Sequence, residues 1–290
     1  MLADSFGVAP ATTETYHALS LLHPSPGDVR VEDMTGLYGE PKPVRADRSE
    51  TTIGRDKVRE CIAAAPPLTS PHRDGWRMEH LEALGRDDAF AEALAVFISN
   101  IASGDVPPKT ADYFASATLV ALLKKNEEDI IALRELLGPD FVLPIRPLAM
   151  ACVFVKLACN CMLSGIKDDI EDVTGPCQFA VGCKGGCESL QWALQAAMEA
   201  DPAFAQAVMD AINGFNELER LAMRAAILAD PRLHRILPLF DMLYTDREGE
   251  LWYFDEEGNL VFTLRSRRGV RQGCVLGIFI FCVTMAPIYH

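Results

Sequence analysis

Two turn-like clusters, Asp246-Arg247-Glu248-Gly249 and Asp255 to Asn259, punctuate the stretch LFDMLYTDREGELWYFDEEGNLVFTLRSRRGVRQG at 239–273. Short runs of Leu, Trp, Tyr, Phe and Val lie between and after them, which is the pattern of a hairpin or small meander. Most of what precedes it reads as helix. A helical pattern begins near Lys57, and Phe90, Leu94, Phe97 and Ile101 recur at three- and four-residue spacing. Gly104 and the Pro107-Pro108 pair stop that helix. ASATLVALLKKNEED (115–129) reads as a strand leading into a charged loop. LPIRPLAMACVFVKLACNCMLSGI (143–166) has proline at both ends of its first turn and then a long apolar helix pattern. CESLQWALQAAMEA (187–200) is a further helix, with Leu190, Leu194, Ala197 and Met198 on one side. The expected class is therefore α+β: a helical N-terminal part, then a strand, a hairpin and a closing apolar helix. Residues 1 to about 55 are rich in Pro, Gly and charge without a sustained period, and are expected to be weakly structured.

A chain of 290 residues, 49% hydrophobic and 23% charged, has ordinary globular composition and enough apolar residues for a core. Its apolar runs are too short or too interrupted to span a bilayer, since MACVFVKLACNCML carries Lys156 and Asn160. No basic segment followed by an apolar run opens the chain, and nine scattered cysteines fit reduced thiols. Both point to an intracellular protein. The net charge of −14 runs against the basic footprint of a protein that grips nucleic acid, so cations for that purpose must be local.

The segment AVMDAINGFNELER (207–220) places one carboxylate, Asp210, at the end of an apolar run that reads as a buried strand. Asn216 can cap the next helix, with Glu219 three residues on as in a capping box. Leu218, Leu221, Ala225 and Leu228 give that helix its apolar face, and Arg220 and Arg224 point elsewhere. A strand-end carboxylate can hold a divalent metal against phosphate oxygens. The competing reading is a turn or helix-start Asp that complements a dipole.

Together with RGVRQGCVLGIFIF (268–281), this segment resembles reverse transcriptases, most closely the polymerase domain of non-LTR retrotransposons. The resemblance implies a right-hand polymerase fold. It assigns residues 56–110 to a helical N-terminal extension, 111–200 to fingers and 201–290 to a partial palm. It also implies magnesium as cofactor and Asp210 as its catalytic ligand. Ala211 would line the nucleotide pocket, and Phe215 would exclude the ribose 2′-OH of the incoming nucleotide. Gln272 and Gly273, with Gly269 and Arg271, match the segment that packs beside the nascent base pair. PIRPLAM (144–150) resembles the fingers motif whose arginine contacts the triphosphate, here Arg146. TLVALLKKN resembles the upstream segment that carries the fingers lysine, here Lys124 or Lys125. PCQFAVGCKGGCES and SPHRDGWRMEHL resemble the segments between fingers and palm and at the domain's opening. The likeness covers roughly residues 66 to 290. Val275 and Gly277 stand where the family favours Pro and Ser.

The family's aromatic-x-Asp-Asp motif does not follow Gln272 in this sequence. The only Asp-Asp pairs, Asp87-Asp88 and Asp168-Asp169, lie upstream in charged contexts. The expectation is thus a polymerase truncated before that motif and inactive by itself, since two-metal transfer needs several carboxylates. The partners implied are an RNA or DNA template-primer and deoxynucleoside triphosphates, with weak nucleic-acid binding by so acidic a chain. Asp210, Phe215 and Gln272 should converge on one concave surface. The C-terminal apolar helix should be only partly covered and favour self-association. Arg265, Arg267, Arg268 and Arg271 form a basic cluster for template or primer phosphates, or an edge-strand decoration against aggregation. Cys177, Cys183 and Cys187, near Cys159 and Cys161, lack the close pairs usual in zinc sites and read better as buried free thiols. No phosphate-loop ending or nucleophile elbow is present. The alternative to a polymerase fragment is a non-enzymatic binding module that retains the fold.

Overall fold

A computed structural model describes residues 6–44, 48–67, 69–175, 178–201, 203–208 and 210–289. Helices α1 (Thr13–Leu21), α2 (Val31–Tyr38), α3 (Arg55–Ala63), α4 (Met78–Leu84), α5 (Asp88–Ala102) and α6 (Pro108–Phe114) come first. Strand β1 (Ala117–Leu123), α7 (Glu127–Leu137), β2 (Ile145–Met150), α8 (Val153–Ser164), α9 (Ile170–Thr174) and α10 (Gly186–Ala200) follow. Then come α11 (Gly214–Glu217), α12 (Arg220–Ala229), α13 (Leu237–Phe240), β3 (Gly249–Phe254), β4 (Leu260–Ser266) and α14 (Gly277–Tyr289). The class is α+β, as the sequence leads one to expect.

Among the described residues the strands make one sheet in the order β2-β1-β3-β4. β1 pairs antiparallel with β2 and parallel with β3, and β3–β4 is the expected hairpin. Its turn is the second cluster: Asp255 Oδ1 accepts from the Asn259 amide at 2.7 Å, and Gly258 takes a positive φ. The alternation of β1 and β2 buries Ala117, Leu119, Ala121, Ile145 and Ala149 on one face, against α1 and Ile130 of α7. Arg146, Leu148 and Met150 project from the other face, half-exposed. Pro147 is tolerated because β2 is an edge strand. The neighbouring Ala149 amide points away from β1, so the Pro147 nitrogen does too, and no ladder bond is lost. A second core joins α3, α5, α8, α12, α13 and α14 around Ile98, Leu157, Met162, Phe240 and Phe279.

Four expectations are corrected. The N-terminal segment is not weakly structured throughout. Residues 6–9 run beside β1, with the Ala9 amide on Ala121 O at 2.8 Å, and α1 buries Ala18 and Leu19. These short helices hold through contacts to distant chain: Tyr38 of α2 donates its hydroxyl to Thr284 O at 2.8 Å. Next, the first part of LPIRPLAM is strand β2 rather than helix, and the helix starts only at Val153. The apolar run before Asp210 is no buried strand. Residues 203–208 are exposed and outside the sheet, with Val208 84% accessible, because no strand edge among the described residues lies alongside them. Finally, Asn216 does not cap a helix. Asn213, at a φ of 56°, precedes α11, while Asn216 is buried and donates to Leu22 O at 2.9 Å.

Helix α14 buries Phe279, Ile280 and Val283 in the helical core and leaves Ile278 and Ile288 exposed. Helix α10 forms where its periodicity places it, yet Leu190, Trp192 and Met198 remain exposed. No helix among the described residues is long and apolar enough to cross a membrane.

Candidate nucleotide and nucleic-acid site

The loop from Ser266 to Gly277 links two of the motifs singled out in the sequence. Its Gly269 amide donates to Leu218 O and its Val270 amide to Phe215 O, both at 2.9 Å. Further on, Gln272 O accepts from the Ala149 amide of β2 at 2.8 Å. The loop therefore laces the segment after Asp210 to the sheet edge. Two glycines make that approach feasible. A Cβ on Gly269 would stand 2.2 Å from Phe215 O, and one on Gly273 would stand 2.8 Å from Ala149 O and 3.0 Å from Leu148 Cδ1. Both also take positive φ, 63° and 104°.

Gly273 thus sits against Leu148, which shares its sheet face with Arg146, two residues back along β2. Lys124 and Lys125 follow β1, exposed, and the Lys124 amide donates to Pro144 O at 2.9 Å. The two lysines and Arg146 therefore occupy one corner of the sheet. The Gln272–Gly273 turn lies about 10 Å along β2 from Arg146, at ~3.3 Å per residue. Phe215 joins through its carbonyl, while its ring packs on Phe281 of α14 with centroids 5.3 Å apart.

Asp210 and Ala211 are exposed in the segment that leads to α11. No group of three His, Cys, Asp or Glu side chains able to hold a metal ion occurs among the described residues. The residues present do not fit the magnesium site that the resemblance implies. The same holds for zinc: Cys159 and Cys161 are buried thiols, Cys183 and Cys187 are exposed, and Cys177 lies outside the described residues.

The arginine cluster is resolved differently at each position. Arg271 is 3% exposed, its guanidinium donating to Ala115 O and lying 4.8 Å over the Tyr244 ring, so it is not available to a phosphate. Arg265 pairs with Glu250 at 3.1 Å, Arg267 with Glu248 at 3.1 Å, and Arg268 with Glu217 and Glu219 at 3.0 and 2.7 Å. A template phosphate would have to displace a carboxylate at each of these three.

Arg220 and Tyr244 are structural residues of this site that carry no sequence signal. The Arg220 guanidinium donates to Gly269 O, Tyr244 O, Ser266 O and Ser266 Oγ at 2.8–2.9 Å, which fixes the start of the loop. Burial pulls its pKa down to about 10, so it stays charged at neutral pH. Tyr244 comes from a π-helical turn, Asp241–Thr245, and burial pushes its hydroxyl pKa up. The acceptors of Arg220 are mostly backbone carbonyls from distant segments, so no residue pattern announces them.

The opening stretch SPHRDGW folds beneath this sheet face. Asp74 Oδ2 accepts from Tyr113 Oη at 3.0 Å and Cys152 Sγ at 3.2 Å, and His72 Nδ1 lies 2.9 Å from Tyr113 Oη. His72 is buried beside Trp252, 5.6 Å between rings, and burial lowers its pKa from 6.5 to about 4. The unfolded chain takes up this proton near pH 6.5 and the folded chain only near pH 4. Stability is therefore whole above the upper value and falls as pH drops toward the lower one. The full span is worth about 3 kcal/mol. Urea unfolding at a series of pH values should show this decline in wild type and a flatter profile in His72→Gln. Parallel profiles would remove His72 as the cause.

No protein-family model matches the chain. Over 246 residues, 84% of its length, the chain is 28% identical to the retrotransposable element SLACS 132 kDa protein of Trypanosoma brucei gambiense. The match covers 18% of that protein, so the chain spans about a fifth of its relative's length. The similarity relates this chain to a retrotransposable-element protein.

Proposed function

We propose that this chain is the fingers and leading palm portion of a retroelement reverse transcriptase of the non-LTR type. One observation carries the reading: the loop with Gln272 and Gly273 is held between the Phe215 segment and the sheet face that bears Arg146. The similarity to a retrotransposable-element protein supports it independently. In this reading Arg146, with Lys124 or Lys125, neutralises the triphosphate of an incoming nucleotide, as preorganised cations do for developing phosphoryl charge. Gln272 and Gly273 flank the base pair, and Phe215 stands where a ribose 2′-OH would come. Asp210, exposed and in no three-ligand group among the described residues, has no chemical step assigned to it.

A deoxynucleoside triphosphate carrying a fluorescent label tests the nucleotide site by equilibrium titration. Arg146→Ala should weaken binding about tenfold, roughly 1.4 kcal/mol for one charge-assisted contact. Equal binding by wild type and Arg146→Ala would sink the assignment. Binding of single strands should be weak and fall steeply with salt, because the sequence-independent term is electrostatic and the arginines already have carboxylate partners.

The second reading, a non-enzymatic interaction module, draws on the exposed apolar side of α10 and the absence of a metal-holding cluster among the described residues. Failure of wild type to bind any nucleoside triphosphate favours it.

A further inference from the structure

The two outer strands of the sheet, β2 and β4, differ in what lies alongside them. At β2 the Ala149 amide donates to Gln272 O at 2.8 Å, and Pro147 has no amide to offer. At β4 the outer backbone groups are free. The Glu250 amide donates to Ser116 Oγ on the β1 side, so Gly249, Leu251 and Tyr253 turn their backbone groups toward β4. Their partners Ser266, Leu264 and Phe262 face inward, and Thr263 and Arg265 face outward. Neither of these two has a backbone hydrogen bond to another segment among the described residues. The register shift at Tyr253/Phe254 places a bulge at Val261, and Arg220 holds Ser266 O, so the free edge runs from Leu260 to Arg265. Leu260 and Val261 are 50% and 45% exposed there. An open edge of this kind is a template for one more strand.

We propose that β4 is an interface for a second copy of this chain, which pairs antiparallel with it about a two-fold axis near Thr263 and joins the two sheets into one. Charge selects both the partner and the direction. The turn before β4 carries Asp255, Glu256 and Glu257, and the other end of the strand carries Arg265, Arg267 and Arg268. Glu256 and Glu257 are exposed, and Arg267 stays exposed in its pair with Glu248. Antiparallel self-pairing sets the acidic turn of each copy against the arginine end of the other, whereas in-register parallel pairing would set like charges together. With the β2 edge occupied, the open edge of one copy meets the same edge of the next, and the two-fold contact closes on itself. On the face that carries Leu264, Phe262 comes beside Leu264 of the second copy. That extends the row Tyr16, Phe262, Tyr253, whose successive ring centroids are 5.0 and 4.7 Å apart. So short a strand pair makes a small interface, and the dimer forms only as concentration rises. Arg146, Lys124 and Lys125 take no part, so the interface stands apart from the nucleotide site.

The test is analytical ultracentrifugation of the full chain over a range of concentrations, where the mass should rise from one chain to two. Glu257→Arg and Arg267→Glu should each weaken association about tenfold, because each reversal sets like charges together at both ends of the paired strands. An equal mixture of the two variants should associate again, since each reversed charge then meets its opposite on the other chain. Hydrogen–deuterium exchange of the wild type should show amides within 260–265 gaining protection as concentration rises, with α10 and α14 unchanged. Circular dichroism checks that both variants fold, and the wild-type exchange decides alone if either does not. The proposal is overturned if the wild type stays a single chain throughout, if the added protection falls on α10 or α14 instead of β4, or if the mixture associates no better than its components.

Discussion

Template-directed incorporation of labelled deoxynucleotide by this chain should stay at background, on RNA or DNA, with magnesium or manganese in the buffer. The reason is the placing of carboxylates. Phosphoryl transfer spreads negative charge over the transferring group, and enzymes of this type meet it with cations that several carboxylates hold. Asp210 is exposed, and no set of three ligating side chains gathers anywhere among the described residues. Removing one electrostatic stabiliser from an active site costs roughly 3–4 kcal/mol. Lacking a pair of carboxylates costs at least about twice that, some four orders of magnitude or more in rate. Asp210→Ala is the control. Incorporation in wild type that this substitution abolishes would show a complete carboxylate set at Asp210 and overturn the expectation.

Gly269→Ala should be among the most damaging single substitutions outside the helical core. Its φ is 63°, and an alanine Cβ would lie 2.2 Å from Phe215 O and 2.5 Å from the Asn216 Cα. The left-handed conformation alone costs about 1–2 kcal/mol for a residue with a Cβ. The clash is with backbone rather than a flexible side-chain end, so the loop must also move away from the Phe215 segment. That breaks the hydrogen bonds from Gly269 to Leu218 O and from Val270 to Phe215 O. The total should exceed about 3 kcal/mol, from strain and lost hydrogen bonds together. Gly258→Ala is the comparison: its φ is 83°, but nothing lies within 4 Å of the added Cβ, so only the conformational cost applies. Urea unfolding of both variants reads the difference. Equal losses would mean that the contact between the loop and the Phe215 segment contributes nothing.

How much of this was legible before folding depends on the range of the interactions involved. The hairpin, the strand at 117–123 and the helices α5 and α10 follow from spacing within each segment. Turn residues, periodicity and caps act over a few positions: Asp87 accepts from the Phe90 amide, and Asp255 from the Asn259 amide. The motif order 124–125, 146, 215 and 272–273 was likewise visible as a string of residue types. The lost strand before Asp210 shows the limit. An apolar alternating run becomes a strand only when another edge accepts its backbone groups, and none among the described residues does.

The sequence by itself determined the α+β class, the hairpin turn at Asp255–Asn259, and the local helices, because their causes lie within about one turn or one hairpin. Only the tertiary structure decided which charges are free. Arg271 reads as one of four surface cations, yet its guanidinium is buried against Ala115, 156 residues away. Arg265, Arg267 and Arg268 lie without an acid among them, but folding brings Glu250, Glu248, Glu217 and Glu219 to them. Arg220, which reads as pointing away from its helix's apolar face, gathers the backbone of the Gln272 loop. The physical reason is common to all three cases: an arginine's environment is set by whichever carbonyls and carboxylates the packed chain delivers, and those come from segments far apart in the sequence.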